Sequence, residues 1–380
     1  MLEIFEDRIN RLIGYKALHG VALGLVSIFI PIFIAQQGFR PQTVFAFLLI
    51  DVATFMILAL PIGYLISRIG VKYSFLFSSL LYVTVFFLLQ TVSLNLAVIF
   101  TLAAAIGVAK AFHWIPVNAE FTVGSEEDNR GEKYGKLEGI PAVVTPFAPL
   151  AGAAVMSFSG FGSLVSISLL FALASILPLM LGDGTEKMKF DLSGLKGLEN
   201  LDLWILYFLD GFATTAYVFI FPLFVYFAIG GTLNVGGVKT LMAVGSGIFS
   251  IVAGKATDRL GREKLLLAGG AISAAVYTVF PILETSFQAF SASFLAGLVY
   301  MVYTIPLIAV IADVAEGKNL LGFFSLREVF QGIGKVSVVG LMVHLLVRGS
   351  MEFAFRTIFY LSAFSVVLLV WMALRVESSR

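Results

Sequence analysis

Asp210 lies in the run Ile-Leu-Tyr-Phe-Leu-Asp-Gly-Phe-Ala, about seven residues into an apolar stretch. In a helix that depth is roughly 10 Å, too far for a short carboxylate to reach water unaided. An ionisable group in hydrocarbon costs about 2.5–3.5 kcal/mol or more, so it faces a cavity or a partner, and a carboxylate so placed can bind and release a proton. His19 stands 191 residues earlier in a comparable stretch. An imidazole opposite Asp210 would exchange a proton near neutral pH; the alternative is that His19 meets water and Asp210 bonds only a neighbouring helix. Asp51 is a second buried acid, either proton-exchanging or held in an ion pair with Lys335. Lys110 and His113 share one helix face, Tyr300 and Tyr303 repeat that spacing at the equivalent place later in the chain, and Lys335 is flanked by Gly332 and Gly334. These five are candidates to line a solute cavity. Lys239 and His344 fall near span ends, where long side chains snorkel to water.

Other chemistries lack their residues. The sequence has no cysteine and three histidines, so neither a thiolate site nor an imidazole metal cluster is expected, and no cofactor is implied. No Gly-x-x-x-x-Gly-Lys-Ser/Thr loop points to ATP, and no His-Glu-x-x-His motif or Ser, His and Asp set points to an enzyme. A net charge of +1 offers nothing to nucleic acid.

The elements that hold these groups follow from hydrophobicity. Of 380 residues, 59% are hydrophobic and 13% charged, more apolar surface than a soluble core hides. A spanning helix needs about 20 apolar residues. This criterion predicts spans 1 to 6 near 15–36, 43–66, 73–92, 95–120, 136–158 and 162–182. After a polar stretch, 183–202, spans 7 to 12 follow near 203–229, 233–254, 264–284, 287–312, 326–347 and 354–374. Residues 1–14 read as a short interfacial helix, with Leu2, Phe5, Ile9 and Leu12 at helical spacing. Lys and Arg concentrate on alternate connections, including Arg68, Lys72, Arg130, Lys133, Lys136 and Lys264, whereas the opposite side holds only Arg40, Arg348 and Arg356. The positive side is cytoplasmic, which puts both termini there. The expected fold is an all-α membrane protein of twelve transmembrane helices.

The two halves repeat. Pro31 in span 1 matches Pro222 in span 7, Ile115-Pro116 matches Ile305-Pro306, and Glu138 matches Glu328, all at an offset of 190 or 191. Between spans 2 and 3 the chain reads Gly63-Tyr-Leu-Ile-Ser67-Arg68-Ile-Gly70-Val-Lys72, and between spans 8 and 9 it reads Gly254-Lys-Ala-Thr-Asp258-Arg259-Leu-Gly261-Arg262. This doubled motif resembles the loop signature of the major facilitator superfamily. The resemblance implies two pseudo-symmetric six-helix bundles, 1–182 and 203–380, joined by a cytoplasmic linker, 183–202. It also implies a cytoplasmic latch, with Asp258 and Arg259 near Glu138 and Arg68 near Glu328. Ser67 departs from the pattern, where an acid is usual, so the first latch should be the weaker. Ala148-Pro149-Leu-Ala-Gly152-Ala153 resembles an element of proton-coupled exporters, with both flanking glycines replaced by alanine. The interiors of spans 3, 6, 9 and 12 carry no charge or histidine, in keeping with their supporting role in that family.

The function expected is a carrier for a small-molecule substrate in the cell membrane, coupled to protons by Asp210, His19 or Asp51, with a slight lean to export. It is expected to be monomeric and to contact membrane lipid. Uptake symport, a channel and a binding-only sensor are the alternatives.

Overall fold

A computed structural model describes residues 8–123, 145–181, 187–192, 201–315 and 319–378. Among them every regular element is helical. In lipid this is one of two ways to satisfy the backbone. The order is α1 (Arg8–Val26), α2 (Phe29–Gln36), α3 (Pro41–Ile69), α4 (Val71–Thr91), α5 (Leu96–Val123), α6 (Ala148–Ala174) and α7 (Ile176–Met180). Next come α8 (Leu201–Thr215), α9 (Phe221–Phe224), α10 (Thr232–Leu260), α11 (Arg262–Val279), α12 (Ser286–Ala315), α13 (Leu320–Arg348) and α14 (Met351–Ser378). Two π-helical turns, Ala216–Ile220 and Val225–Ile229, bracket α9, so Leu201–Ile229 runs as one rod.

Ten stretches of the described residues are long and apolar enough to cross a membrane. One of them, Ala148–Met180, covers the end of expected span 5 and all but the end of span 6, and α6 leaves helical geometry at Gly160, φ 81 and ψ 169. The 29-residue α10 is a further long helix at expected span 8. This is a multi-pass membrane protein. Large apolar side chains such as Phe87, Leu170, Ile272 and Phe364 point outward from α4, α6, α11 and α14. Such a surface suits hydrocarbon, and these are the elements expected to support the fold from outside.

Local sequence explains the joints. Pro41 opens α3 at the first helical position, where its missing N–H costs nothing. Gly70 and Gly261 turn the chain between α3 and α4 and between α10 and α11 at φ 89 and φ 88, a conformation that only glycine adopts readily. The Asn319 side chain accepts from the Gly322 N–H at 3.0 Å and caps α13.

Two apolar clusters fill opposite ends of the molecule. One includes Phe29, Phe45, Phe221 and Phe355; the other includes Tyr15, Phe55, Tyr207 and Phe323. At the first end, Phe45 meets Phe227 and Phe355 with ring centroids at 6.4 and 6.0 Å, and the Gln42 amide donates to the Leu346 carbonyl at 2.8 Å. Helices from the two halves of the chain pack directly, α3 against α13 and α6 against α10.

Candidate functional site

A cavity of about 280 Å³ lies among α5, α8, α12 and α13. It sits toward the molecular end opposite the Phe45 cluster. Its apolar wall is α12, through Met301, Leu307, Ile308, Ile311 and Ala312, and Trp114 of α5 and Phe324 of α13 add aromatic surface. Asp210, Arg327, Glu328 and Lys335 bring charge, and Asn118, Thr214, Tyr300, Thr304 and Gln331 bring neutral polar groups.

Glycine contacts determine where those groups fall. A Cβ on Gly211 would sit 1.9 Å from the Gln331 carbonyl oxygen, and one on Gly334 would sit 2.0 Å from that of Phe208. The backbones of α8 and α13 therefore touch, as small residues allow between membrane helices. That approach puts Asp210 beside Gln331: the Gln331 Nε2 donates to Asp210 Oδ2 at 2.5 Å, while Thr214, one turn along α8, donates to Oδ1 at 3.1 Å. Asp210 is 7% exposed, and the side chains that donate to it, those of Gln331 and Thr214, are uncharged.

Glu328 is the second acid of the cavity, 3% exposed. Its carboxylate contacts Arg327 at 3.3 Å, Lys335 at 3.6 Å and the Asn118 amide of α5 at 3.5 Å. Residues 328 and 335 lie two turns apart, on one face of α13. Lys335 also lies 5.3 Å from the centroid of the Phe55 ring.

Of the residues expected to line a cavity or couple protons, Asp210, Tyr300 and Lys335 do line it. Lys110, His113, Tyr303, His19 and Asp51 do not. Asp51 pairs with Lys110 at 2.5 Å rather than with Lys335. Gly107 on α5 approaches the Asp51 carbonyl and so brings the two side chains together. His19 does not reach Asp210. It turns into its own half, stacking on His113 and Tyr15 with centroids at 4.6 and 5.1 Å, and both of its ring nitrogens lack a hydrogen-bond partner among the described residues. His113 instead shares a 2.7 Å hydrogen bond with the Tyr15 hydroxyl. Equivalence in a repeat relates backbone positions, whereas the rotation of each helix decides where a side chain points.

The latch residues divide likewise. Arg68 donates to the hydroxyl of Tyr64 at 2.5 Å, one turn before it, and Glu328 is occupied inside the cavity. Gly63 packs under Ser325, and Lys72 sits in the first turn of α4. In the second motif Arg262 pairs with Asp313 of α12 at 2.5 Å and with Glu377 of α14 at 3.6 Å. Glu138 and the side chains of Gly254, Asp258 and Arg259 lie outside the described residues.

Sequence reasoning overlooked Arg327, Gln331, Asn118 and Thr214. One signal was present: Glu328, Gln331 and Lys335 follow the three-, four- and seven-residue spacing of a single helix face.

The Major Facilitator Superfamily model matches residues 203–380. No curated protein matches the chain. Among solved structures, the E. coli fucose:proton symporter FucP superposes with a TM-score of 0.70 at 16% identity, covering 98% of this chain and 99% of its own. A second FucP structure, in the outward conformation, gives the same values. The human organic anion transporter MFSD10 gives 0.69 at 12% identity, covering 96% and 98%. The match to the superfamily model is thus confined to the second half of the sequence, while the fold of these transporters extends along nearly the whole chain.

Proposed function

We propose that this protein is a proton-coupled secondary transporter, moving a small solute across a cell membrane by alternating access. The observation that carries this reading is the cavity itself: a space between α5 of the first half and α8, α12 and α13 of the second, with the buried Asp210 on its wall. In this reading twelve spans form two six-helix bundles, 1–182 and 203–380, which rock about the cavity as a monomer. The linker 183–202 and both termini are cytoplasmic in this reading; of the segment 1–14 expected at the interface, residues 8–14 run on into α1 and residues 1–7 lie outside the described residues.

Asp210 suits a coupling role for a physical reason. Its ionised form accepts from Gln331 and Thr214, and its protonated form removes a charge from a site that must be enclosed during each cycle. Asp51 is less suited, because Lys110 already neutralises it. His19, boxed among rings away from the cavity, is set aside as a partner for Asp210.

The export-like element in α6 has a packing explanation. Gly152 meets the Leu25 carbonyl, and Gly236 of α10 meets Pro149 and Ala153. It therefore gives no direction. Uptake by symport is the second reading, favoured by the likeness to a fucose:proton symporter.

The test is flux in proteoliposomes under an imposed pH gradient, with candidate solutes supplied one at a time. Wild-type protein is expected to give saturable, uphill, pH-driven uptake. Asp210→Asn should abolish the proton-driven component with unchanged helical content, since an amide can still bond Gln331 and Thr214. Unchanged pH-driven flux in that variant would remove Asp210 from the mechanism; flux that never saturates would indicate a channel.

A further inference from the structure

The two charge signs in the cavity are not equally satisfied. Both oxygens of Asp210 already accept hydrogen bonds. The Lys335 ammonium donates no hydrogen bond among the described residues; its contacts are the 3.6 Å approach to Glu328 and the Phe55 ring. An ammonium has three donors, and this one lines the cavity with its side chain 18% exposed. Glu328 in turn is shared with Arg327. The unmet demand is therefore for an anion. Facing that end is the apolar wall of α12, and the space, about 280 Å³, is at or below the usual range for drug-sized ligands.

We propose, building on the carrier reading above, that the substrate is a small organic monoanion: one carboxylate held by Lys335, with an apolar body against Leu307, Ile308 and Ile311. The placement also supplies the coupling. An anion entering the cavity adds negative charge near Asp210 and Glu328, and a proton on Asp210 lowers the repulsion, so the two ligands favour one another reciprocally. The groups around Asp210 are Arg327, Glu328, Gln331 and Lys335 on α13, Tyr207 and Thr214 on α8, Tyr277 on α11, and Tyr300 and Tyr303 on α12.

Thermal stability of the full-length protein in detergent, titrated with defined probes, tests this. The probes are benzoate and 4-methylpentanoate, their neutral amides, benzylamine and inorganic phosphate. The two carboxylates are expected to raise the melting temperature, and the amides, the amine and phosphate are not. Lys335→Gln should weaken benzoate roughly 10- to 100-fold, the loss of one hydrogen bond to a charged group. Lys335→Arg should retain part of the binding and guards against misfolding in the first variant. The proposal is overturned if no carboxylate shifts the melting temperature at millimolar concentration, if the amides, the amine or phosphate bind as well, or if both Lys335 variants bind benzoate like wild type. The carrier reading stands or falls separately. Carboxylate binding without flux would sink the carrier and leave the anion site, and flux of neutral or cationic solutes alone would do the reverse.

Discussion

Asp51 and Asp210 are the same residue type at similar burial, 2% and 7% exposed, with opposite surroundings. The first is closed against a cation and the second against an amide and a hydroxyl. Breaking a buried ion pair from one side strands a charge, at about 3–5 kcal/mol. Lys110→Met is therefore expected to lower stability by that order, and the double variant Asp51→Asn/Lys110→Met to recover most of it, as read by thermal melts in detergent. A single variant as stable as wild type would mean that Asp51 is not held by Lys110. Asp210, Tyr300 and Lys335 were legible as cavity residues because charge or phenol at depth in an apolar run demands an explanation. Arg327 was not, because at the start of a span it reads as ordinary loop charge, and Glu328 beside it was assigned to the latch with Arg68. Gln331 and Asn118 escaped for another reason: a neutral amide has no charge to compensate, so a search for ionisable groups at depth passes over it.

The helices that present these residues are positioned by backbone contact more than by side-chain interlock. A Cβ at Gly334 would sit 2.0 Å from a backbone carbonyl, whereas one at Gly340 on the same helix meets only the Leu49 side chain at 3.8 Å. Gly334→Val is expected to force α8 and α13 apart, costing about 1–3 kcal/mol or more, while Gly340→Ala leaves the melting temperature nearly unchanged. Equal stability of the two variants would contradict the crossing described. Span positions were legible from apolar length, and the turns at Gly70 and Gly261 from the doubled motif. The two π-helical turns were not, since their hydrogen-bond shift leaves no mark on apolar spacing over five residues. The contact of Arg262 with Asp313 and Glu377 was equally hidden, because it joins α11 to α12 and α14 rather than one half of the chain to the other.

Across the whole molecule the two ends differ. The cavity lies toward one of them, while the other is shut by Phe45, Phe227 and Phe355 and by the bond from Gln42 to Leu346. The alternating access proposed above requires that second end to part. Thiols placed at Gln42 and Leu346 and joined by a short bifunctional reagent are expected to abolish flux while sparing benzoate-induced stabilisation, and undiminished flux after complete cross-linking would mean this end does not open. Because the sequence contains no cysteine, that pair would be the sole thiols present. The Gln42–Leu346 contact thus doubles as a ruler: spin or fluorescent labels placed there would report the gap between α3 and α13 against a silent background. Their separation could then be followed through a turnover, as each solute and each proton is added.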